Sequence, residues 1–81
     1  MMQQSQRSEI VDQLKNLGYV KQGESMERKV QRDGSTISIS FDEAQDEAIV
    51  ERVNSKERIL SHDSYKVRTP VQMSTFLTAV A

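Results

Sequence analysis

His62, Asp63 and Ser64 are consecutive, and their side chains are the three types that form a catalytic triad. In a triad the acid orients the imidazole, and the imidazole removes the proton from the serine hydroxyl. Successive side chains of a strand point to opposite faces of a sheet, so a strand here would turn Asp63 away from His62. His62 and Ser64 would share a face but lie about 7 Å apart, beyond hydrogen-bond reach. The spacing therefore predicts no catalytic residue, and we expect a protein that is not an enzyme.

The acidic residues between positions 42 and 47 offer the oxygen ligands that divalent cations prefer. The stretch lacks the alternating acids and the glycine of a calcium-binding loop. The three glycines of the chain are too far apart to form a phosphate-binding loop. The absence of cysteine excludes a disulfide framework and a cysteine-based zinc site. We therefore expect no metal and no other cofactor.

The size and charge of the chain limit its fold class and its location. Its 81 residues allow one small hydrophobic core, and we predict a single α+β domain over residues 1–81. Eleven basic and twelve acidic residues give a net charge of -1, without the basic excess that attracts nucleic acids. The longest uncharged run, residues 69–81, is shorter than the ~20 residues of a membrane-spanning helix, and residues 1–7 lack the apolar stretch of a secretory signal. We expect a cytoplasmic protein that does not contact a membrane.

Two helices are predicted, one near each end of the chain. Apolar residues recur at helical spacing over about residues 6–17, and Gly18 is suited to end this first helix. Thr69 can cap a second helix, and Pro70 fits its first position because no amide hydrogen is needed there. The second helix is predicted over about residues 70–80.

Between the helices the apolar residues recur at every second position, which is typical of half-buried strands. For residues 43–53 the pattern leaves a helix and a strand open, and we favour a strand because β-branched residues are frequent there. Asp33-Gly34 is expected to form a two-residue turn between two strands. The result is a four- to five-stranded antiparallel β-meander, with strands over residues 19–22, 26–32, 35–41, 48–53 and 59–67.

The alternation also predicts which face of the meander the helices cover. In the third predicted strand, apolar side chains alternate with hydroxyl side chains. We expect both helices to pack on the apolar side, in the order α-β-β-β-β-α, and the hydroxyl side to stay open to solvent. This open side is a candidate binding surface, formed by Thr36, Ser38 and Ser40.

The second predicted helix carries an uncharged apolar stripe. Apolar residues are only 36% of the chain, a thin supply for one core, so the stripe can serve the core, or its surface can be buried between two copies of the chain. We expect its residues to serve in packing or in a homodimer interface, and they are Met73, Phe76, Leu77 and Val80.

Charge is unevenly distributed along the sequence. Residues 42–51 hold five acidic and no basic residues, whereas residues 52–68 hold five basic and two acidic residues. Regions of this kind can each steer an oppositely charged partner. The basic segment, with Tyr19 or Tyr65 to stack on bases, makes a nucleic-acid-binding module the alternative function. The acidic segment allows a third hypothesis, an inhibitor that imitates phosphate.

Residues 17–20, Leu-Gly-Tyr-Val, and residues 23–25, Gly-Glu-Ser, resemble the start of HicA-type toxins. These toxins are small ribonucleases with a fold similar to double-stranded-RNA-binding domains, and the resemblance covers about residues 10–41. It implies a catalytic histidine directly after the Gly-Ser of the second strand. Met26 occupies that position here, and the single histidine is His62. We therefore keep a ribonuclease-like toxin domain only as the least favoured alternative.

The sequence favours binding over chemistry because no set of reactive groups converges in the predicted fold. We expect a small non-enzymatic protein-protein interaction or inhibitor module, of the kind found as an accessory protein of phages or mobile elements. The expected partner is another protein, and a second copy of the chain in a homodimer is included.

Overall fold

One helix at each end of the chain flanks a five-stranded antiparallel sheet in the computed structural model, which describes residues 4–81. Each strand pairs with the next one along the chain, so the order across the sheet is the order in the sequence. The predicted fold class, an α+β meander with two flanking helices, is confirmed. The elements are α1 (Gln4–Asn16), β1 (Val20–Gln22), β2 (Ser25–Lys29), β3 (Thr36–Asp42), β4 (Glu47–Val53), β5 (Ile59–Lys66) and α2 (Pro70–Ala79).

Local sequence signals set the inner ends of both helices. Gly18 follows α1 with a φ of 96°, a left-handed conformation that glycine adopts without steric cost. The turn lets the amide of Tyr19 donate to the carbonyl of Leu14 (3.0 Å), which closes the last turn of α1. At the start of α2, Thr69 and Gln72 form a capping box. Within residues 4–81, no helix is long and apolar enough to cross a membrane.

The connection between β2 and β3 differs from the predicted two-residue turn. The amide of Val30 donates to the carbonyl of Ser35 (2.7 Å), which leaves a four-residue loop over residues 31–34. The Asp33 side chain explains the longer loop. It accepts hydrogen bonds from the amide and the hydroxyl of Ser35 (2.9 and 2.6 Å), so Ser35 is held at the base of the loop. The prediction of an Asp33-Gly34 turn was therefore wrong.

The segment that the sequence left open between helix and strand forms a strand. β4 pairs along its whole length with β3 on one side and β5 on the other. Ile49, Val50 and Val53 are β-branched, and their stiff side chains suit a pleated surface better than a helix. The turn between β3 and β4 includes Asp46, whose φ of 53° lies in the left-handed region, and β4 begins at the next residue, Glu47.

The core lies between the two helices and one face of the sheet. Ile39 of β3 is fully buried, as are Ile10 of α1 and Phe76 of α2. The ring of Tyr65 in β5 lies 5.7 Å from that of Phe76 in a tilted arrangement. The predicted placement of both helices on the Ile39 side of the sheet is confirmed.

Candidate interaction surface

We call the face of the sheet away from the helices the open face. Directly opposite residues of antiparallel strands lie on the same face. The register therefore builds cross-strand rows on the open face, and one row runs from β2 to β5 through Glu27, Ser38, Glu51 and His62. A neighbouring row runs through Lys29, Thr36, Val53 and Ile59.

The hydroxyl residues predicted as a binding surface all lie on the open face. Thr36, Ser38 and Ser40 alternate along β3, and each side chain is partly exposed. Their position is central because β3 has two strands on each side. The structure thus brings the three residues to one surface, and their role in binding stays a prediction.

A shallow concavity lies on the open face, beside the β2–β3 loop and the β4–β5 turn. It has a volume of about 440 Å³, and Thr36 and Ser38 line it. Carboxylates outnumber ammonium groups around it, because Glu27, Glu51 and Glu57 contribute to the lining against Lys29 alone. The concavity is therefore suited to a positively charged group.

The ion pairs among residues 4–81 lie away from the open face. Glu27 and Glu51 form no salt bridge with another residue of the described range 4–81. Their negative charge is therefore available to a partner, whereas several carboxylates elsewhere are neutralised. The neutralised pairs are Arg7 with Glu43, Arg52 with Asp33 (2.9 Å) and Arg68 with Asp46 (3.0 Å).

Asp33, Ser35 and Arg52 form a hydrogen-bonded group that ties the β2–β3 loop to β4. Ser35 is buried, and Arg52 Nε donates to its Oγ (3.1 Å). The hydrogen bonds from Ser35, together with the charge of Arg52, hold the pKa of Asp33 below its ordinary value. The group is therefore a structural tie between the loop and β4.

Replacing Ser35 with alanine is expected to raise the pKa of Asp33, because the strongest hydrogen bond to the carboxylate is removed. A lowered folded-state pKa adds stability above pH ~4, and this stability is lost as the pH falls through the folded-state value. The variant should therefore lose less stability on acidification than the wild type. NMR titration of the Asp33 carboxyl carbon measures the pKa, and an unchanged value in the variant would contradict the assignment.

Asp46 is buried in the turn before β4. Burial acts to raise the pKa of its carboxyl group, but hydrogen bonds and positive charge, including those of Arg68, outweigh burial and lower it. Arg68 Nε donates to Asp46 Oδ2 (3.0 Å), and the amide of Val67 donates to the Asp46 carbonyl (2.9 Å). Asp46 therefore joins the β3–β4 turn to the segment that leads into α2.

The acidic residues of positions 42–47 do not converge. Glu43 reaches Arg7 of α1, whereas Asp46 turns inward to Arg68. Across residues 4–81, no group of three or more His, Asp and Glu side chains is placed to hold a metal ion.

The apolar stripe of α2 lies largely inside a single copy of the protein. Met73, Phe76 and Val80 belong to the core, and Leu77 is partly buried against it. The hydroxyl of Tyr19 also donates to the carbonyl of Val80 (2.8 Å), which fixes the end of the stripe. These side chains pack intramolecularly, so little of their surface is free for a second copy.

His62, Asp63 and Ser64 lie in β5 and do not form a triad. The register places His62 opposite Glu51 on the open face, and Ser64 shares that face. Asp63 lies opposite Val50 and so points to the helix side. The carboxylate is therefore turned away from the imidazole, as the strand geometry predicts.

The features that suggested nucleic-acid binding are separated in the structure. Tyr19 is buried, and Tyr65 is half-buried against the core, so neither ring is free to stack on a base. Within residues 52–68, Arg52 and Arg68 form ion pairs at different places on the molecule. Two of the five basic residues of this segment are therefore neutralised by neighbouring carboxylates.

No sequence pattern pointed to Glu27 and Glu51 as binding residues. They are distant in the sequence, and only the pairing of both β2 and β4 with β3 places them on either side of Ser38. The register of the strands would have identified both residues. The wrong prediction of the β2–β3 turn gave an incorrect register for β2. With the predicted turn, β2 would have been shifted along β3.

No family model, no curated protein and no solved structure matches this chain. The function of the open face is therefore inferred from its own geometry and charge.

Proposed function

We propose that this protein is a small, non-enzymatic protein-protein interaction module that binds a basic segment of a partner on its open face. The observation that carries the proposal is the placement of Ser38 between Glu27 and Glu51 on an uncovered sheet face. Both carboxylates lack an ion-pair partner within residues 4–81. A basic side chain of a partner would supply that charge.

The spacing of the strands fits one lysine or arginine side chain. Neighbouring strands lie about 4.8 Å apart, so the backbones that carry Glu27 and Glu51 are roughly 10 Å apart across β3. A guanidinium or ammonium group between them can donate to both carboxylates, and the Ser38 hydroxyl below it can accept a further hydrogen bond. Thr36 and Ser40 extend the same hydroxyl row along β3.

The same chemistry accounts for the inhibitor hypothesis. Proteins that act on nucleic acids bind phosphate with basic side chains, and an acidic face can occupy such a site. The alternative, a nucleic-acid-binding module using residues 52–68, has less support because Arg52 and Arg68 are held in ion pairs. We therefore favour a protein partner over a nucleic acid.

Self-association stays part of the proposal. The surface predicted for it, the stripe of α2, is mostly used in the core, so a homodimer would need another surface. A cytoplasmic location and a role as an accessory protein of a phage or mobile element also stay predictions.

Selection of random 12-residue peptides on the immobilised protein tests the proposal. We expect the enriched peptides to contain lysine or arginine, and the double variant E27Q/E51Q to bind them at least ~10-fold more weakly, equivalent to about 1.4 kcal/mol. The affinity should also fall as salt is added, because exposed charges are screened.

The matched control is the double variant E9Q/D12N, which removes two exposed carboxylates from α1. It loses the same net charge but leaves the open face intact, so its affinity should stay close to that of the wild type. Equal losses in the two double variants would show a non-specific charge effect and would overturn the proposal. Enrichment of peptides without basic residues would overturn it as well.

A further inference from the structure

β5 is a long strand at the edge of the sheet, and none of the strands within residues 4–81 pairs with its outer side. It has eight residues, whereas β1 at the opposite edge has three. All of its side chains except Tyr65 are exposed, including Ile59 at 62% and Leu60 at 54%. Proteins commonly shorten or block their edge strands, because unpaired backbone groups accept further strands.

Few charged side chains in β5 would hinder the pairing of a further strand with this edge. Between Ile59 and Tyr65 the single charged residue is Asp63, which points to the helix side opposite Val50. Lys66 stands at the end of the strand, where its Nζ already donates to the carbonyl of Gln45 (3.0 Å). The middle of β5 therefore lacks the lysine or proline that commonly protects an edge.

The backbone groups that face the free edge follow from the pairing with β4. The amide of Val67 donates to the carbonyl of Asp46 (2.9 Å), which makes these residues a hydrogen-bonded pair one step beyond Glu47 and Lys66. Hydrogen-bonded and non-bonded pairs alternate along an antiparallel ladder. The N–H and C=O groups of every second residue therefore point outward, and these are His62, Ser64 and Lys66.

We propose that β5 pairs with β5 of a second copy of this chain, antiparallel and around a two-fold axis at His62. The two edge strands then join the two five-stranded sheets into one continuous ten-stranded sheet, and both open faces lie on the same side of it. The pair at His62 exchanges two backbone hydrogen bonds, and the outward N–H and C=O groups of Ser64 face Leu60 of the second copy, next to the register shift in the pairing of β4 with β5.

The side-chain contacts of β5 favour this register over the others that a two-fold axis allows. A centre at Asp63 would place two carboxylates directly opposite each other, which is destabilising. A centre at Ser61 or Ser64 would shorten the overlap, because β5 begins at Ile59 and ends at Lys66. A centre at His62 pairs residues 59–65 with each other.

Complementary chemistry within this register favours a second copy as the occupant. With His62 at the centre, Asp63 lies opposite Ser61 of the second copy, and the symmetry repeats the contact. A serine hydroxyl can donate to the facing carboxylate, and hydrogen bonds to ionised groups are the stronger kind. Leu60 lies opposite Ser64 of the second copy, so the exposed apolar side chain gains a covering neighbour.

This inference rests on the proposed self-association but not on the binding of basic peptides by the open face. The homodimer interface is proposed at β5, whereas the sequence pattern predicted it at the apolar stripe of α2. The two proposals therefore fail separately.

A single cysteine at position 62 tests the pairing, because the natural chain has no cysteine. Opposite residues of a hydrogen-bonded pair have Cα atoms about 5.5 Å apart, within the range of about 4.4–6.8 Å that a disulfide spans. We expect His62→Cys to form a disulfide-linked dimer in a glutathione redox buffer. The wild type should sediment as a dimer at ~100 μM, well above a typical micromolar dissociation constant.

Ser64→Cys is the matched control, because position 64 is also exposed and lies on the same face of β5. In the proposed register the two cysteines at 64 would be about 13 Å apart along the strands, too far for a disulfide. A monomeric wild type would overturn both self-association and this pairing. A dimer that cross-links through position 64 or through neither position would overturn the pairing and leave self-association standing.

Discussion

Replacing Phe76 with alanine is expected to lower the free energy of unfolding by about 3 to 5 kcal/mol. Phe76 is fully buried at the contact between α2 and the sheet, and its ring packs against Tyr65. The loss combines the transfer of the ring from the core to water with the cavity that remains. Total stabilities of small domains are about 5 to 15 kcal/mol, so much of this protein's stability depends on one ring. Urea unfolding followed by circular dichroism measures the effect.

Val71→Ala on the same helix is the control for this prediction. Val71 is 75% exposed, so its truncation removes little buried surface and should change the free energy of unfolding by less than about 0.5 kcal/mol. If Phe76→Ala were as mild as Val71→Ala, α2 would not be the main partner of the sheet, and the described core would be wrong.

Replacing Arg28 with alanine is expected to cost about 2 to 3 kcal/mol of stability. The Arg28 guanidinium donates to the carbonyl of Leu17 (2.9 Å) and to that of Ala81 (3.0 Å), and it lies 4.8 Å from the ring centroid of Tyr19. One side chain of β2 therefore joins the end of α1 to the segment after α2. Thermal and urea unfolding should both show the loss.

Two further variants separate the geometry of Arg28 from its charge. Arg28→Lys keeps the charge but not the planar fork that reaches two carbonyls, so we expect it to recover less than half of the lost stability. Lys29→Ala removes a neighbouring charge that lies on the open face and should have an effect below about 0.5 kcal/mol. Full recovery by lysine would mean that charge alone matters, contrary to the hydrogen bonds described.

Burial raises the pKa of Tyr19, and Arg28 acts in the opposite direction. The net result is a raised folded-state pKa, so the fold favours the neutral phenol. This contribution is complete below pH ~10 and is lost as the pH rises through the folded-state value. Tyr19 therefore sets an alkaline limit to stability, while Asp33 and Asp46 contribute to the acid limit.

The fold could be predicted because its signals are local. Gly18 ends α1, Thr69 caps α2, and alternation in β3 separates Ile39 from its hydroxyl neighbours. Each of these features depends on residues a few positions apart. The order of strands followed because a meander needs only pairing between consecutive strands.

The β2–β3 loop was not predictable from its own dipeptide. Asp33-Gly34 suits a two-residue turn, but the Asp33 carboxylate bonds to Ser35 instead, and Arg52 of β4 stabilises that arrangement. Arg52 lies in a later strand, so tertiary structure determines whether residues 33 and 34 form a two-residue turn or part of a longer loop.

Only part of the candidate site could be predicted, because the rest of it also depends on tertiary structure. Alternation alone placed Thr36 and Ser38 on the open face, but the flanking Glu27 and Glu51 depend on the register of β2 and β4. Periodicity likewise found the stripe of α2 but does not distinguish core packing from a dimer interface. Burial of Phe76 within one copy makes that distinction.

Mapping the binding of a selected basic peptide by NMR tests whether the open face is the binding surface. Titration of the ¹⁵N-labelled protein should shift the amide signals of Glu27, Ser38 and Glu51 and leave those of Glu9 and Thr78 unchanged. Shifts confined to the side of the helices, with the amide signals of β3 unchanged, would show that the peptide binds elsewhere than on the open face.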